Sequence, residues 1–303
     1  MEALHAIGVD LGGTKILAGV VTRDGNVIRR HERATPQDSQ EHVIAELEAV
    51  VAELLDDSVG AIGFGAPSPI DAARGVVVKC VNLPLENAPL RDQMRERFGK
   101  PVGLENDANA AAIGESRAGA GRGVDDLVML TLGTGVGGGV VSGGRPFRGR
   151  NGEGAELGHV VIVHDGRPCQ GACHGRGHLE AYVSGHAATE AAREAFGPSA
   201  DAHRLIRLAN EGDAAATKLL TELARHLGSG IGSFVNVFAP ELVVLGGGFG
   251  VAAFDHLRGP AEEIARREAL EPMRSAFRLA RAELGTAAGL IGAAFVGFEA
   301  LDA

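Results

Sequence analysis

IGVDLGGTKILAGV, residues 7–20, and MLTLGTGVGGGVVSG, residues 129–143, are two versions of one device. Each is an apolar, strand-like run, a turn built of glycine and threonine, and a second strand-like run. Side chains must be absent where backbone N–H groups crowd around phosphate oxygens, and glycine also supplies turn dihedrals that other residues resist. The threonine in each turn adds a hydroxyl donor. The second copy also reads G-x-G-x-x-G at Gly133, Gly135 and Gly138. A dinucleotide fold would open a helix at that point, whereas Gly137, Gly138 and Gly139 run into Val140 and Val141, a returning strand. Neither copy has the G-x-x-x-x-G-K-[ST] spacing of a P-loop. Either turn alone is compatible with an ordinary Gly-rich hairpin; the repetition with the same polarity points to a nucleotide's phosphates.

Strand, glycine turn, strand, present in two halves, is the pattern of the α/β, actin-like (ribonuclease H-like) ATPase fold. It predicts two domains with a central cleft, where two hairpins grip the phosphates from opposite sides. The expected division is residues 1–113 with 286–303 as a small domain, and 114–285 as a large one.

Composition agrees with a globular chain of that size. The 303 residues are 45% apolar, enough for a core in each domain. No apolar run approaches the roughly 18 residues of a membrane span, and MEALHAIGVD starts a strand without a signal-like segment. The expectation is therefore a cytoplasmic protein with no membrane partner. A formal net charge of −10 argues against nucleic-acid binding, which requires clustered Lys and Arg. The 45 glycines follow no repeat, so collagen-like and disordered readings fall away. With three cysteines and no secretory signal, a disulfide framework is not expected; Cys80 in VVVKCVN reads as a core thiol.

Apolar alternation predicts strands near 5–10, 15–22 and 59–65, with a helix over 38–55 between the last two. GAPSPID (65–71) reads as an ordered loop, 89–98 as a helix, PVGLEND (101–107) as a short strand ending at polar residues, and ANAAAIGES (108–116) as a helix. A Gly- and His-rich loop covers roughly 149–178. The longest helix is predicted over 213–238, LVVLGGGFG (242–250) reads as strand, turn and helix, and 286–300 as an apolar helix packing back on the first domain.

DLGGTK (10–15), LENDANAAAIGE (104–115), LGTGVGGG (132–139), GAELGH (154–159) and VVLGGG (243–248) occur in that order. With these motifs the chain resembles the ROK family of sugar kinases and related repressors, and within it the bacterial ATP-dependent glucokinases. The resemblance covers almost the whole length. It implies phosphorylation of a hexose, glucose at its 6-hydroxyl, by ATP with Mg²⁺, and a homodimer or homotetramer.

Asp107 follows a short strand and opens a helix. A carboxylate placed there could accept the proton of a sugar hydroxyl as its oxygen attacks the γ-phosphoryl group, and Asn106 or Asp107 before ANAAA also suits a helix N-cap. Spacing leaves both open; the resemblance assigns Asp107 as the base, with Asn106 on a neighbouring sugar hydroxyl. It also implies that Glu156, His159 and Glu180 contact the hexose, with Ser68 nearby, although Glu180 alone reads as an exposed acid at a helix start. Gly12, Gly13 and Thr14 of the first turn and Gly133, Thr134 and Gly135 of the second are the expected phosphate cradles. Lys15 ranks below them, because an ion-paired or solvated role suits the start of the returning strand equally well. Asp10 at the strand end is placed to hold Mg²⁺ through water. Gly246, Gly247 and Gly248 let adenosine approach the backbone, or simply form a tight strand-to-helix turn.

His159, Cys169, Cys173 and His178 offer two thiolates at C-x₃-C spacing and two imidazoles, the ligand set of a closed structural zinc site. Similar proteins carry one His and three Cys, the cysteines in a C-x-C-G-x-x-G-C-x-E run. Here two residues are added between the first two cysteines, and His178 stands where the last would be; His174 is its rival. Zinc would tie down the loop bearing Glu156 and His159.

The same chemistry on N-acetylmannosamine, N-acetylglucosamine, fructose or allose is the nearest alternative. A sugar-sensing repressor would carry an N-terminal helix-turn-helix, for which the start at Asp10 leaves no room. A noncatalytic ATP-binding scaffold fits poorly with an intact Asn106–Asp107 pair. Polyphosphate as donor stays open.

Overall fold

A computed structural model describes residues 5–171 and 173–303. The first four residues, part of the stretch read above for a signal segment, lie outside the described residues. The chain forms two compact units: Met1–Gly123, Pro146–Ala155 and Thr286–Ala303 in one, Val124–Arg145 and Glu156–Gly285 in the other.

The first unit is built on β1 (His5–Leu11), β2 (Lys15–Thr22), β3 (Val27–Ala34), β4 (Val59–Ala66) and β8 (Val102–Asn106), in the order β3-β2-β1-β4-β8. β1 pairs antiparallel with β2 and parallel with β4, which pairs parallel with β8. A small sheet of β5 (Ile70–Asp71), β6 (Val76–Lys79) and β7 (Glu86–Ala88) interrupts the series. Helix α1 (Gln40–Leu54) starts where the Ser39 hydroxyl accepts the His42 amide, and buries Val43, Leu47, Val50, Val51 and Leu54 as one stripe of helical period. Helix α2 (Leu90–Phe98) ends on Gly99 in the left-handed conformation at φ 62°.

Helices α3 (Asp107–Ala118) and α11 (Ala288–Asp302) complete this unit. Gly19, Gly8, Gly63 and Gly103 stand side by side on β2, β1, β4 and β8. They form a lane without side chains, and α11 lies along it. A Cβ at Gly8 would come within 2.0 Å of Leu290 O, one at Gly63 within 1.7 Å of Ala293 O, and one at Gly103 within 2.3 Å of Val296 O. On its other side a Cβ at Gly292 would meet Ala110 O at 1.6 Å, so α3 and α11 touch backbone to backbone. Covered on two sides, α11 is apolar nearly all round. With its preceding turn it corrects one expectation: Gly285–Asp302 does reach 18 residues at a mean hydropathy of 1.2, the length and composition of a membrane span. Its packing is that of a core helix.

The second unit repeats the order. β9 (Leu127–Leu132), β10 (Val136–Ser142), β11 (Arg145–Pro146), β12 (Leu242–Gly246) and β13 (Arg278–Arg281) run β11-β10-β9-β12-β13. β9 pairs antiparallel with β10 and parallel with β12, which pairs parallel with β13. This is the ribonuclease H-like arrangement a second time, as the actin-like expectation requires. Around it stand α4 (Glu180–Val183), α5 (Gly185–Phe196), α6 (Ala202–Asn210), α7 (Ala214–Phe238), α8 (Gly248–Ala252), α9 (Phe254–Glu268) and α10 (Met273–Ala276).

The expected division at 113/114 falls in the middle of α3. That helix stays whole with the first unit because its Ala- and Gly-rich face is committed to α11. Residues 146–155 also return to the first unit, a crossing no local pattern announces.

Candidate active site

The first unit brings Asp10 and Asp107 to the same edge of its sheet, at the ends of β1 and β8. Between β1 and β2 the turn Gly12-Gly13-Thr14 closes with the Gly12 amide donating to Lys15 O at 2.9 Å. Its carbonyls are braced from beyond β3: Thr35 Oγ1 donates to Gly12 O at 2.8 Å, Gln37 Nε2 to Gly13 O at 2.7 Å, and the Thr35 amide to Thr14 O at 3.0 Å. Sequence reasoning missed both braces, since neither lies in a motif. Lys15 begins β2 with its ammonium 3.2 Å from Glu32, an exposed pair.

Burial, with the negative charge of Asp107 added, pushes the Asp10 carboxyl up to about 7, while Lys15 acts the other way. The N-terminal turn of α11 lies against this carboxylate, for a Cβ at Gly289 would sit 2.5 Å from its Oδ2.

The N-cap of α3 is Asn106: its Oδ1 accepts the amides of Ala108 at 3.0 Å and Asn109 at 3.1 Å. Its Nδ2 donates to Asp107 Oδ1 at 3.0 Å and to Ser68 O at 3.4 Å. Asp107 Oδ1 also accepts the Ala108 amide at 2.8 Å. Ser68 is buried, and its hydroxyl serves backbone, donating to Pro69 O at 2.9 Å and accepting from the Lys79 amide at 3.1 Å. Cys80 is a buried thiol, pushed up to about 11 by that burial.

In the second unit the turn Gly133-Thr134-Gly135 joins β9 to β10. Its carbonyls are taken by the start of α5, where the Gly185 amide donates to Gly133 O at 2.7 Å and the His186 amide to Thr134 O at 3.3 Å. Glu180, at the start of α4, is half-buried: its Oε2 accepts the Val136 amide at 2.8 Å, and a Cβ at Gly135 would meet the same oxygen at 2.4 Å. Glu156 is exposed at the head of a 3-10 turn, Leu157–His159, which rests on β10; a Cβ at Gly158 would come 2.1 Å from Val136 O.

His159, Cys169, Cys173 and His178 bring one donor atom each within 4.8 Å of one another. His159 Nδ1 lies 3.3 Å from His178 Nδ1 and 3.7 Å from Cys169 Sγ, and Cys173 Sγ lies 3.5 Å from His178 Nδ1. A tetrahedral zinc with bonds of about 2.0–2.1 Å to nitrogen and about 2.3 Å to sulfur spaces its ligands about 3.3 Å apart for N···N and about 3.5 Å for N···S. Those three separations match that ion. His178, not the exposed His174, belongs to the group. Burial, then Cys173 beside it, pushes the Cys169 thiol up to about 12. Cys169 Sγ is also 3.6 Å from Glu180 Oε1, and Gln170 of the same loop donates to Ser184 Oγ at 3.0 Å, so the cluster is tied to the β9–β10 turn.

β12 ends at Gly246, and Gly247 turns into α8 at φ 76°, where a Cβ would strike Leu132 backbone at 2.5 Å. A cavity of about 570 Å³ opens here, lined by Gly133, Thr134, Gly248, His186, Arg193 and His203 among others. The histidines and Arg193, on α5 and α6, carry no motif and were missed.

The model of the ROK family matches residues 6–298. This chain belongs to the ROK family. The glucokinase of Thermotoga maritima is 37% identical to this ROK protein over 98% of each chain. Among solved structures, the ROK hexokinase from Thermus thermophilus superposes with a TM-score of 0.86 at 38% identity, covering 99% of both chains. A ROK family glucokinase from Streptomyces griseus, in complex with glucose and AMPPNP, gives 0.81 at 36% identity over 97% of this chain and 99% of its own.

Proposed function

We propose that this protein is a glucokinase that transfers the γ-phosphoryl group of ATP to the 6-hydroxyl of glucose in the cytoplasm. The observation that carries the reading is the fixed carboxylate of Asp107 at the end of β8, beside Asp10 and braced by Asn106 and the Ala108 amide. Asp107 accepts the hydroxyl proton as the sugar oxygen attacks phosphorus. Asn106 orients it with one Nδ2 proton and turns the other, which makes the long 3.4 Å bond to Ser68 O, to a neighbouring sugar hydroxyl, while Ser68, its own hydroxyl occupied, acts through Asn106. Glu156, His159 and Glu180 receive further hexose hydroxyls.

Both turns serve as phosphate cradles: their carbonyls are engaged from behind, which leaves amides and the hydroxyls of Thr14 and Thr134 for anionic oxygens. Gly12, Gly13, Gly133 and Gly135 allow close approach, and Lys15 adds positive charge at the rim. Adenosine occupies the cavity by Gly246–Gly248. Asp10 is the residue to hold Mg²⁺, since a hard carboxylate oxygen beside a second acid suits that ion. When bound with ATP, the ion neutralises phosphate charge. A coupled assay across a panel of hexoses, with ATP and polyphosphate in turn, tests the reading. Turnover on glucose with ATP is expected, and phosphorylation of no hexose would refute it.

Asp10 gives a test by pH. Its carboxyl ionises near 3.8 when unfolded and about 7 when folded. Between these values the folded state binds the extra proton, so stability falls as pH rises through the window. Without Mg²⁺ or nucleotide, Asp10→Asn is expected to melt higher than the parent at pH 8, by on the order of 2–4 kcal/mol, and to converge with it near pH 4. Parallel melting curves at both pH values would expose a failure.

His159, Cys169, Cys173 and His178 would hold a structural zinc, which organises the loop without activating water. Elemental analysis is expected to find about one zinc per chain. Chelation should weaken glucose affinity first, because His159 is both ligand and sugar contact, and nucleotide affinity second, through Glu180 and Gln170. Purified protein without metal ends the zinc assignment.

A further inference from the structure

Glu105 is 1% exposed and stands on β8 one residue before Asn106. A charged side chain at such a position needs a partner, and it has one. Arg148 Nε donates to Glu105 Oε2 at 2.5 Å, while Arg148 Nη2 donates to Glu299 Oε2 at 2.8 Å on α11. The other oxygen of Glu105 faces the helix start, accepting the Asn106 amide at 3.1 Å and Asn109 Nδ2 at 3.4 Å. One carboxylate therefore joins Arg148, the last peptide of β8 and the first turn of α3, and Asp107 stands at the junction of the last two.

Arg148 comes from residues 146–155, the segment that returns to the first unit. Its carbonyl closes a small loop, accepting the Gly152 amide at 3.1 Å and the Gly154 amide at 3.0 Å, and Asn151 O accepts the Ala72 amide at 3.0 Å. Ala155 ends the segment at φ 69°, a left-handed value that a non-glycine residue adopts only when its surroundings enforce it. The next residue is Glu156. The arm that leads to Glu156 thus also carries the cation paired with Glu105.

We propose that Arg148 is a positioning residue for phosphoryl transfer: by pinning Glu105 it sets the β8–α3 junction and so the aim of Asp107. The proposal rests on the reading of Asp107 as the base. Fold maintenance alone would be served by apolar side chains at both positions; a fork shared by two carboxylates fixes direction as well as distance.

The test uses the full chain and compares Arg148→Met, Arg148→Lys and the neutral pair Arg148→Gln with Glu105→Gln, each also placed on Asp107→Asn. kcat, KM for glucose and ATP, and melting temperature are measured. Arg148→Met is expected to lower kcat about 10–100-fold, the effect of misplacing a reacting group by about 1 Å, with KM for ATP nearly unchanged and KM for glucose raised less than kcat falls, since Asn106 shares the junction. Arg148→Lys should recover part of the rate. The neutral pair, which leaves no unpaired buried charge, should fold and stay slow. None should slow Asp107→Asn further, because a residue acting through the base has nothing left to aim. A neutral pair with near-normal kcat, or an equal further loss on Asp107→Asn, overturns the proposal while leaving the base intact. Near-normal turnover in Asp107→Asn by itself removes the base and the proposal together.

Discussion

Asp107→Ala is expected to lower kcat by about 10²–10⁴-fold, the usual worth of a general base, with binding of glucose and ATP largely retained. The structure makes this a clean experiment. Asn106, not Asp107, caps α3 through the Ala108 and Asn109 amides, so the helix keeps its N-terminal anchor. The substitution also relieves the repulsion that helps push Asp10 upward, so the variant should melt no lower than the parent above pH 7. Steady-state kinetics with isothermal binding of glucose decides the matter. A normal rate would take Asp107 out of the mechanism, and a large loss of binding would make it a sugar ligand instead.

Gly63→Val is expected to abolish the soluble folded protein. The added Cβ would lie 1.7 Å from Ala293 O and 2.7 Å from Gly297 N. Both are backbone atoms of α11, which cannot yield by rotating a side chain. The helix would have to lift from the lane and expose Leu290, Ile291 and Val296, all buried in the parent. The cost exceeds about 4–5 kcal/mol, the exceptional end of single substitutions, against a total stability of about 5–15 kcal/mol. Circular dichroism and soluble yield measure it; a variant that melts within a few degrees of the parent would mean that α11 does not seat on Gly63.

Local pattern was a good guide wherever a few neighbouring residues dictate the outcome. Both Gly-Thr turns, α1, α2, α7, the strand-turn-helix at Gly246–Gly248 and α11 were legible because periodicity and turn chemistry act over one or two turns of chain. The Cys and His cluster was legible because Cys169, Cys173 and His178 lie within ten residues of one another. β3 was missed: VIRRHERA is exposed along most of its length and shows little apolar alternation. The three-stranded sheet was missed because β5 has two residues and β7 three, too few to show a period.

The braces of the site escaped for a different reason. Thr35 and Gln37 reach Gly12 and Gly13 across more than twenty residues, and Arg148 meets Glu105 across forty-three. His186, Arg193 and His203 line the cavity from separate helices. Such partners are ordinary polar residues until folding brings them together.

The amino-acid order alone determined the two Gly-Thr turns, the acid after β8, the Cys and His cluster and the sequence of elements, since each is encoded by neighbours a few positions apart. Tertiary structure decided that four separate glycines line up into one lane for α11, that residues 146–155 rejoin the first unit, and that Glu105 finds Arg148. These depend on strand register and on buried charge seeking its counterpart, and both are properties of the assembled sheet and not of any stretch of chain.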